Sequence, residues 1–197
     1  MRRALVAFGL FAVLALVALG PVPGVDRSLH DWVVRERTAP LTSVARALTL
    51  LGSSLVVWPA LLLSAAILAR GRQRWQLPVA LGVGQVVRVG VNVAVHRPRP
   101  PRTDRAVVAL GHAFPSGHTF NATVGWGLVA LLCGGAWAWS ATVGIALAVG
   151  LTRIELGVHW PTDVLGAWLL GLGWLLMVGW WGEARRLRGR PARPAPG

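Results

Sequence analysis

Residues Leu77 to Val95 read LPVALGVGQVVRVGVNVAV and run directly into His96-Arg97-Pro98-Arg99-Pro100. At about 1.5 Å rise per residue, a helical block of this length spans a hydrocarbon core about 30 Å thick. Only Gln85, Arg88 and Asn92 interrupt its apolar character. The prolines that follow cannot continue a helix, because they lack the N–H that the helical ladder needs. The stretch therefore reads as a membrane-spanning helix that delivers a cationic cluster to one face of the bilayer.

Comparable blocks lie on both sides of it. They run from about Ala4 to Gly20, Ser54 to Ala69, Thr119 to Leu132, Ala136 to Leu151 and Asp163 to Trp181, with Gly134 and Gly135 marking a tight turn. The chain of 197 residues is 54% hydrophobic and only 14% charged, in blocks rather than at amphipathic spacing, a pattern that suits lipid. The predicted fold class is all-α: a polytopic membrane protein of about six transmembrane helices. A short interfacial helical segment lies within residues 21–52, where Leu41, Val44, Ala45, Leu48 and Leu51 recur at helical spacing after Pro40.

Three parts are expected. Residues 1–20 form a first transmembrane helix or signal anchor; Ala18-Leu19-Gly20 has the form of a cleavage site, but Pro21 directly after it argues for retention. Residues 21–182 form the catalytic membrane domain. Residues 183–197 form a basic tail, expected to be disordered or bound to the membrane surface and to lie in the cytoplasm.

Every basic residue other than histidine is arginine, and the net charge is +13. The arginines sit between apolar blocks instead of forming a stripe with stacking aromatics, which argues against nucleic acid; anionic lipids and an anionic substrate account for the charge better. Cys133 is the single cysteine, so an intramolecular disulfide and a cysteine-based metal site are excluded. Six spans put both termini on one side. Arg2, Arg3, Arg70, Arg72, Arg74 and the tail arginines, opposed there only by Glu183, point to cytoplasmic termini in the cell membrane.

Three clusters then fall on the outer side: His96 to Pro100 with Arg102 and Arg105; Pro115-Ser116-Gly117-His118; and Arg153, His159 and Asp163. Arginine offers a planar fork of donors matched to phosphate oxygens. Ser116 and Gly117 at a helix start offer a hydroxyl and backbone N–H groups to an anion. Two histidines suit covalent phosphoryl transfer, one attacking phosphorus and one protonating the leaving oxygen. Asp163, four residues after His159, suits the role of fixing the imidazole tautomer. No carboxylate cluster fit for magnesium is present, so positive charge must come from arginine, and no cofactor or metal is expected.

These residues resemble the type 2 phosphatidic acid phosphatases, whose signature is Lys-x6-Arg-Pro, Pro-Ser-Gly-His and Ser-Arg-x5-His-x3-Asp. The corresponding stretches are Asn92 to Pro100, Pro115 to His118, and Thr152-Arg153 through His159 to Asp163. The resemblance implies a membrane phosphatase of lipid phosphates or diphosphates, such as phosphatidic acid, phosphatidylglycerol phosphate or a polyprenyl diphosphate. It implies His159 as the nucleophile that forms a phosphohistidine, Asp163 orienting it and His118 as general acid, with Arg99, Arg153, Ser116 and the Gly117 N–H holding phosphoryl oxygens. Two positions depart from the pattern: Thr152 keeps a hydroxyl, whereas Asn92 lacks the charge of the usual lysine. Arg88, one helical turn earlier, and His96 or Arg97 are the candidates to replace it. His30 and Asp31 read as solvated interfacial groups, and His96 and His112 otherwise as ordinary loop residues. Two other readings stay open. One is a non-catalytic lipid-phosphate-binding or transport relative, suggested by Asn92; the other is a vanadium-dependent haloperoxidase, which shares the phosphate pocket.

Overall fold

The computed structural model describes the backbone of residues 1–188 and side chains through Trp180. Its helices are α1 (Arg2–Leu19), α2 (Gly24–Glu36), α3 (Ala39–Leu48), α4 (Ser54–Leu68), α5 (Gln73–Val95), α6 (Gly117–Cys133), α7 (Gly135–Glu155) and α8 (Pro161–Arg188). Short 3-10 turns occur at Thr49–Gly52 and Arg102–Asp104. Every apolar block of the sequence becomes a helix, and the segment from residue 21 to 52 becomes α2, α3 and the first 3-10 turn.

Local chemistry sets the boundaries. The Thr38 side chain accepts from Leu41 N at 3.4 Å to start α3, and Ser53 accepts from Leu55 N at 3.2 Å to start α4. α5 stops where His96 turns left-handed, with φ 51°, and Pro98 makes the stop permanent.

Four helices, α1, α5, α7 and α8, are each long and apolar enough to cross a membrane. The pair Ala39–Gly52 and Ser54–Leu68, bent by 45°, makes a fifth candidate. The expected six thus become four to five by length. α4 has 15 residues and α6 has 17, and α6 is sheathed by its neighbours: its buried residues run from Thr119 through Ala130.

That central helix is where close packing matters most. Between apolar helices in lipid, association rests on van der Waals contact, which small residues permit by letting backbones approach. A methyl group at Gly125 would overlap Val57 of α4, and one at Gly127 would overlap Leu175 of α8. Leu61, Leu81, Phe120, Val124 and Leu128 fill the core between α4, α5 and α6.

α1 packs along α8, and Asp26 at the start of α2 bonds to Thr162 at the start of α8. The C-terminal ends of α5 and α7 and the N-terminal ends of α6 and α8 therefore meet at one end of the bundle.

One expectation is corrected here. His30 is only 1% exposed: its Nε2 lies 3.1 Å from Asp104 Oδ2 and its ring packs edge-on against Trp160. A hydrogen-bonding partner beyond Pro100 and the Trp160 ring take it out of solvent. The basic tail expected from Glu183 onward remains helical to Arg188, and residues 189–197 lie outside the described residues.

Candidate active site

The converging helix ends enclose a cavity of about 300 Å³ lined by Arg88 of α5, Arg99 and Leu110 of the α5–α6 connection, Gly117 and His118 of α6, Arg153 of α7 and His159 of the α7–α8 loop. Each of the three sequence clusters contributes to it. No acidic side chain is part of its lining. Among the described residues no group of three or more His, Cys, Asp or Glu side chains is arranged to hold a metal ion. The chemistry on offer is that of three guanidinium groups and three imidazoles, His112, His118 and His159, around one small volume, which attracts an oxyanion.

His159 is 2% exposed, and its Nε2 sits 2.9 Å from Arg99 Nη1. Arginine donates and cannot accept, so this contact requires a lone pair on Nε2 and places the ring proton on Nδ1. Burial, then Arg99 and Arg153, push the imidazole well below its ordinary titration range. The ring is therefore neutral near pH 7, with its unprotonated nitrogen turned toward Arg99. Burial also draws the Arg99 guanidinium down to about 10, partly offset by Asp163, which leaves it cationic.

Arg99 is tightly held. Besides His159 it donates from Nη1 to Val158 O at 2.7 Å, from Nη2 to Leu110 O at 2.9 Å and from Nε to Gly111 O at 3.0 Å. Arg153, 5% exposed, donates from Nη1 to Thr49 Oγ1 at 2.8 Å. Its Nε is buried without a protein partner, so a donor remains for a ligand.

Behind the histidine, the Asp163 carboxylate is fully buried. Its Oδ2 accepts from Trp160 N at 2.8 Å and lies 3.5 Å from His159 Nδ1, a little beyond hydrogen-bond range. Its Oδ1 accepts from Arg97 Nη1 at 2.6 Å. Arg97 Nη1 also reaches Thr162 Oγ1 at 2.7 Å, and Nη2 reaches Asp26 Oδ2 at 2.7 Å. Asp26, 0% exposed, completes the network by accepting from Thr162 N at 3.0 Å and from the Thr162 hydroxyl at 2.5 Å.

Arg97 thus departs from its expected place among phosphate ligands. Its guanidinium is spent on two buried carboxylates on the far side of His159 and is absent from the cavity lining. Asp26 is the residue that sequence reasoning missed. An acid at the start of a short amphipathic helix looks like any interfacial charge, and no spacing ties it to Arg97.

The other expected residues lie at or against the cavity. Ser116 sits fully buried at the residue before α6, its side chain making no bond to a helix N–H; its Oγ accepts from Thr119 Oγ1 at 3.0 Å and its N–H donates to Asp163 O at 3.2 Å. A Cβ built on Gly117 would lie 3.5 Å from the Arg88 guanidinium carbon, so Arg88 stretches across the first turn of α6. Arg88 Nε is buried without a protein partner. Asn92 does something different from binding an anion: its Nδ2 donates to His112 O at 3.0 Å and Phe114 O at 2.9 Å, fixing the connection that leads into α6. His96 packs on His112 with ring centroids 4.0 Å apart, and His112, expected to be an ordinary loop residue, is part of the cavity lining.

This architecture is that of a multi-pass helical membrane protein carrying a histidine and arginine anion pocket. Residues 73–187 match the model of the PAP2 superfamily, and the chain belongs to that superfamily. Phosphatidylglycerophosphatase B of Bacillus subtilis is 28% identical over 178 residues, covering 84% of this chain and 87% of that protein. Undecaprenyl-diphosphatase of Sulfolobus acidocaldarius is 38% identical over 60 residues, which span 30% of this chain and 29% of that protein. The crystal structure of the transmembrane PAP2-type phosphatidylglycerolphosphate phosphatase from Bacillus subtilis superposes with a TM-score of 0.87 at 25% identity, covering 98% of this chain and 100% of that one.

Proposed function

We propose that this protein is a membrane phosphatase that hydrolyses lipid phosphates or diphosphates, without a metal ion, through a phosphohistidine at His159. The observation that carries the proposal is the position of His159 Nε2, 2.9 Å from Arg99 Nη1, in a cavity that also holds Arg88, Arg153 and His118.

In the first step the Nε2 lone pair attacks phosphorus as the phosphorus–ester oxygen bond breaks, and His118 gives its proton to the departing oxygen; burial and then Arg153 hold its imidazole down to about 3 in the free site, so it takes up that proton as the negative charge of the bound phosphate offsets the arginines. A phosphoryl oxygen takes over the Arg99 N–H that Nε2 occupies in the free site. Arg88, Arg99, Arg153 and the Gly117 N–H neutralise the phosphoryl oxygens, whose charge is greatest in the transition state. The bond to phosphorus leaves the imidazole positive, and Asp163 behind Nδ1 stabilises that charge. Ser116 acts from the helix cap, and Arg97 acts through Asp163 as a positioning residue. In the second step water loses a proton to His118 and attacks phosphorus; the nitrogen–phosphorus bond breaks, releasing inorganic phosphate and neutral His159.

The positive-inside distribution supports cytoplasmic termini and a site that opens at the outer face of the cell membrane, where a lipid phosphate reaches it with its tail still in the bilayer. The test is phosphate release by the detergent-purified protein from a panel of lipid mono- and diphosphates, in excess chelator, beside His159→Ala. Release that survives the chelator and disappears in the variant is expected. Lipid binding without any release would favour a non-catalytic relative, and oxidation of halide that depends on added vanadate would favour the haloperoxidase reading.

A further inference from the structure

The connection between α5 and α6 contains Ala106-Val107-Val108-Ala109-Leu110, an apolar run that the core only half absorbs. Ala106, Val107 and Ala109 pack on Ala45, Leu156 and Val158. Val108 and Leu110 point the other way and are 89% and 86% exposed.

The backbone beneath them is held at several points. Ala106 N donates to Leu156 O at 3.0 Å, Ala106 O accepts from Arg46 Nη2 at 2.9 Å, and the Leu110 and Gly111 carbonyls are both gripped by Arg99. Two large apolar side chains are thus fixed outward, and the arginine that fixes them is the one that touches His159.

A cavity of about 470 Å³ runs along this segment between Arg102, Arg105 and Leu110. Its size falls in the range of small-molecule sites. Val108, Ala109 and Leu110 line both this cavity and the one containing His159. The two spaces adjoin along these three residues and together make a trough, with Arg88, Arg99 and Arg153 at the His159 end and a largely apolar wall flanked by Arg102 and Arg105 beyond it.

We propose that the apolar part of this trough holds the first stretch of the substrate's hydrocarbon tail, so that Val108 and Leu110 select phosphates borne on lipids over water-soluble ones. The inference rests on the phosphatase reading of the same site. The shared lining argues for this occupant: Val108, Ala109 and Leu110 wall both the space that contains His159 and the largely apolar space beside it, so a chain that leaves the phosphate on that side runs along them. Burying apolar surface on Val108 and Leu110 then favours a long-chain ester and does nothing for a substrate without a chain.

The test is a Val108→Ser/Leu110→Ser variant of the full-length protein in detergent, assayed on a long-chain lipid phosphate, a short-chain lipid phosphate kept monomeric, and para-nitrophenyl phosphate. The expected result is a fall of about 10- to 100-fold in the ratio of kcat/KM on the long-chain lipid to that on para-nitrophenyl phosphate, with a smaller fall in the same ratio for the monomeric short-chain lipid. Val108→Ile/Leu110→Met should retain the preference for the long chain. Equal losses on all three substrates, or on none, overturn the proposal. A loss that appears only in liposomes and not with monomeric lipid also overturns it, since the segment would then be gripping the bilayer. If the unaltered protein releases phosphate from nothing, the phosphatase reading fails. Binding of a spin-labelled lipid phosphate to both proteins then decides the tail site: weaker binding by the serine variant supports it and equal binding overturns it.

Discussion

Replacing Arg97 by alanine should damage the fold before it damages phosphate binding. The side chain is 0% exposed and stands between Asp26 and Asp163, both also 0% exposed, at 2.7 and 2.6 Å. Removing it leaves two buried carboxylates without their shared counter-ion, a loss of about 3–5 kcal/mol for breaking a buried pair. A domain of ordinary stability has only about 5–15 kcal/mol in total. At about 2–4 °C per kcal/mol for a chain of this size, melting should fall by about 6–20 °C. Tryptophan fluorescence of the detergent-solubilised protein reads this directly, and Arg99→Ala is the control, since Arg99 faces the cavity and should lose activity with a smaller thermal shift. Adding Asp26→Asn to Arg97→Ala removes one of the stranded charges and should recover part of the lost stability. An Arg97→Ala protein that melts within about 2 °C of the parent and only binds substrate more weakly would sink this account and return Arg97 to the phosphate pocket.

Arg88→Ala should lower kcat/KM on a lipid phosphate by about 10- to 150-fold, the value of one charge-assisted hydrogen bond at about 1.5–3 kcal/mol, with Arg88→Lys recovering part; an unchanged kcat/KM would remove Arg88 from the site. The pH profile follows from His159: its folded-state value lies well below the ordinary 6.5, so the neutral nucleophile persists as pH falls through 6.5, and the acid limb of kcat/KM should lie below that pH. The same shift has a sign for stability. Below about pH 6.5 the unfolded chain binds a proton that native His159 refuses, so melting temperature should decline as the medium is acidified through that range. Gly157→Ala should destabilise, because Gly157 has φ +66° and its Cβ would collide with the Asp104 backbone; a melting temperature equal to the parent's would show that the α7–α8 loop can shift freely.

The helices were legible because a membrane demands long apolar blocks, and the candidate site because its residues recur at fixed distances from helix ends. Arg97 and Arg99 were not separable by composition. The reason lies in Pro98, which holds the preceding backbone extended, where alternate side chains point to opposite sides. Arg99 therefore enters the cavity while Arg97 turns to Asp163 and Asp26. Asp26 was illegible for the complementary reason: its partners Arg97 and Thr162 are distant in sequence, and a buried ion pair leaves no periodic trace. His30 and Asp104 were hidden in the same way.

Asn92 brings these strands together. A lysine there would offer a point charge from the last turn of α5, whereas the amide offers two short, directed donors, and both are used on the carbonyls of His112 and Phe114. Those bonds fix the segment that leads into Ser116 and Gly117, so the position contributes to the pocket by shaping it and no longer by charge. The missing charge stands one turn back. Arg88 projects from the same face of α5, and its longer side chain spans that extra turn to reach the start of α6 above Gly117. A Cβ at Gly117 would meet that guanidinium at 3.5 Å, ordinary contact, so the two groups lie directly against each other. Loop anchoring and charge, which a lysine would have to combine, are divided here between Asn92 and Arg88. Asn92→Lys should therefore fail to raise kcat/KM while Arg88 is present, because the lysine adds a fourth cation to a pocket already ringed by three and frees the loop that Asn92 held. Higher activity in that variant would show that charge, and not the shape of the connection into α6, limits this site.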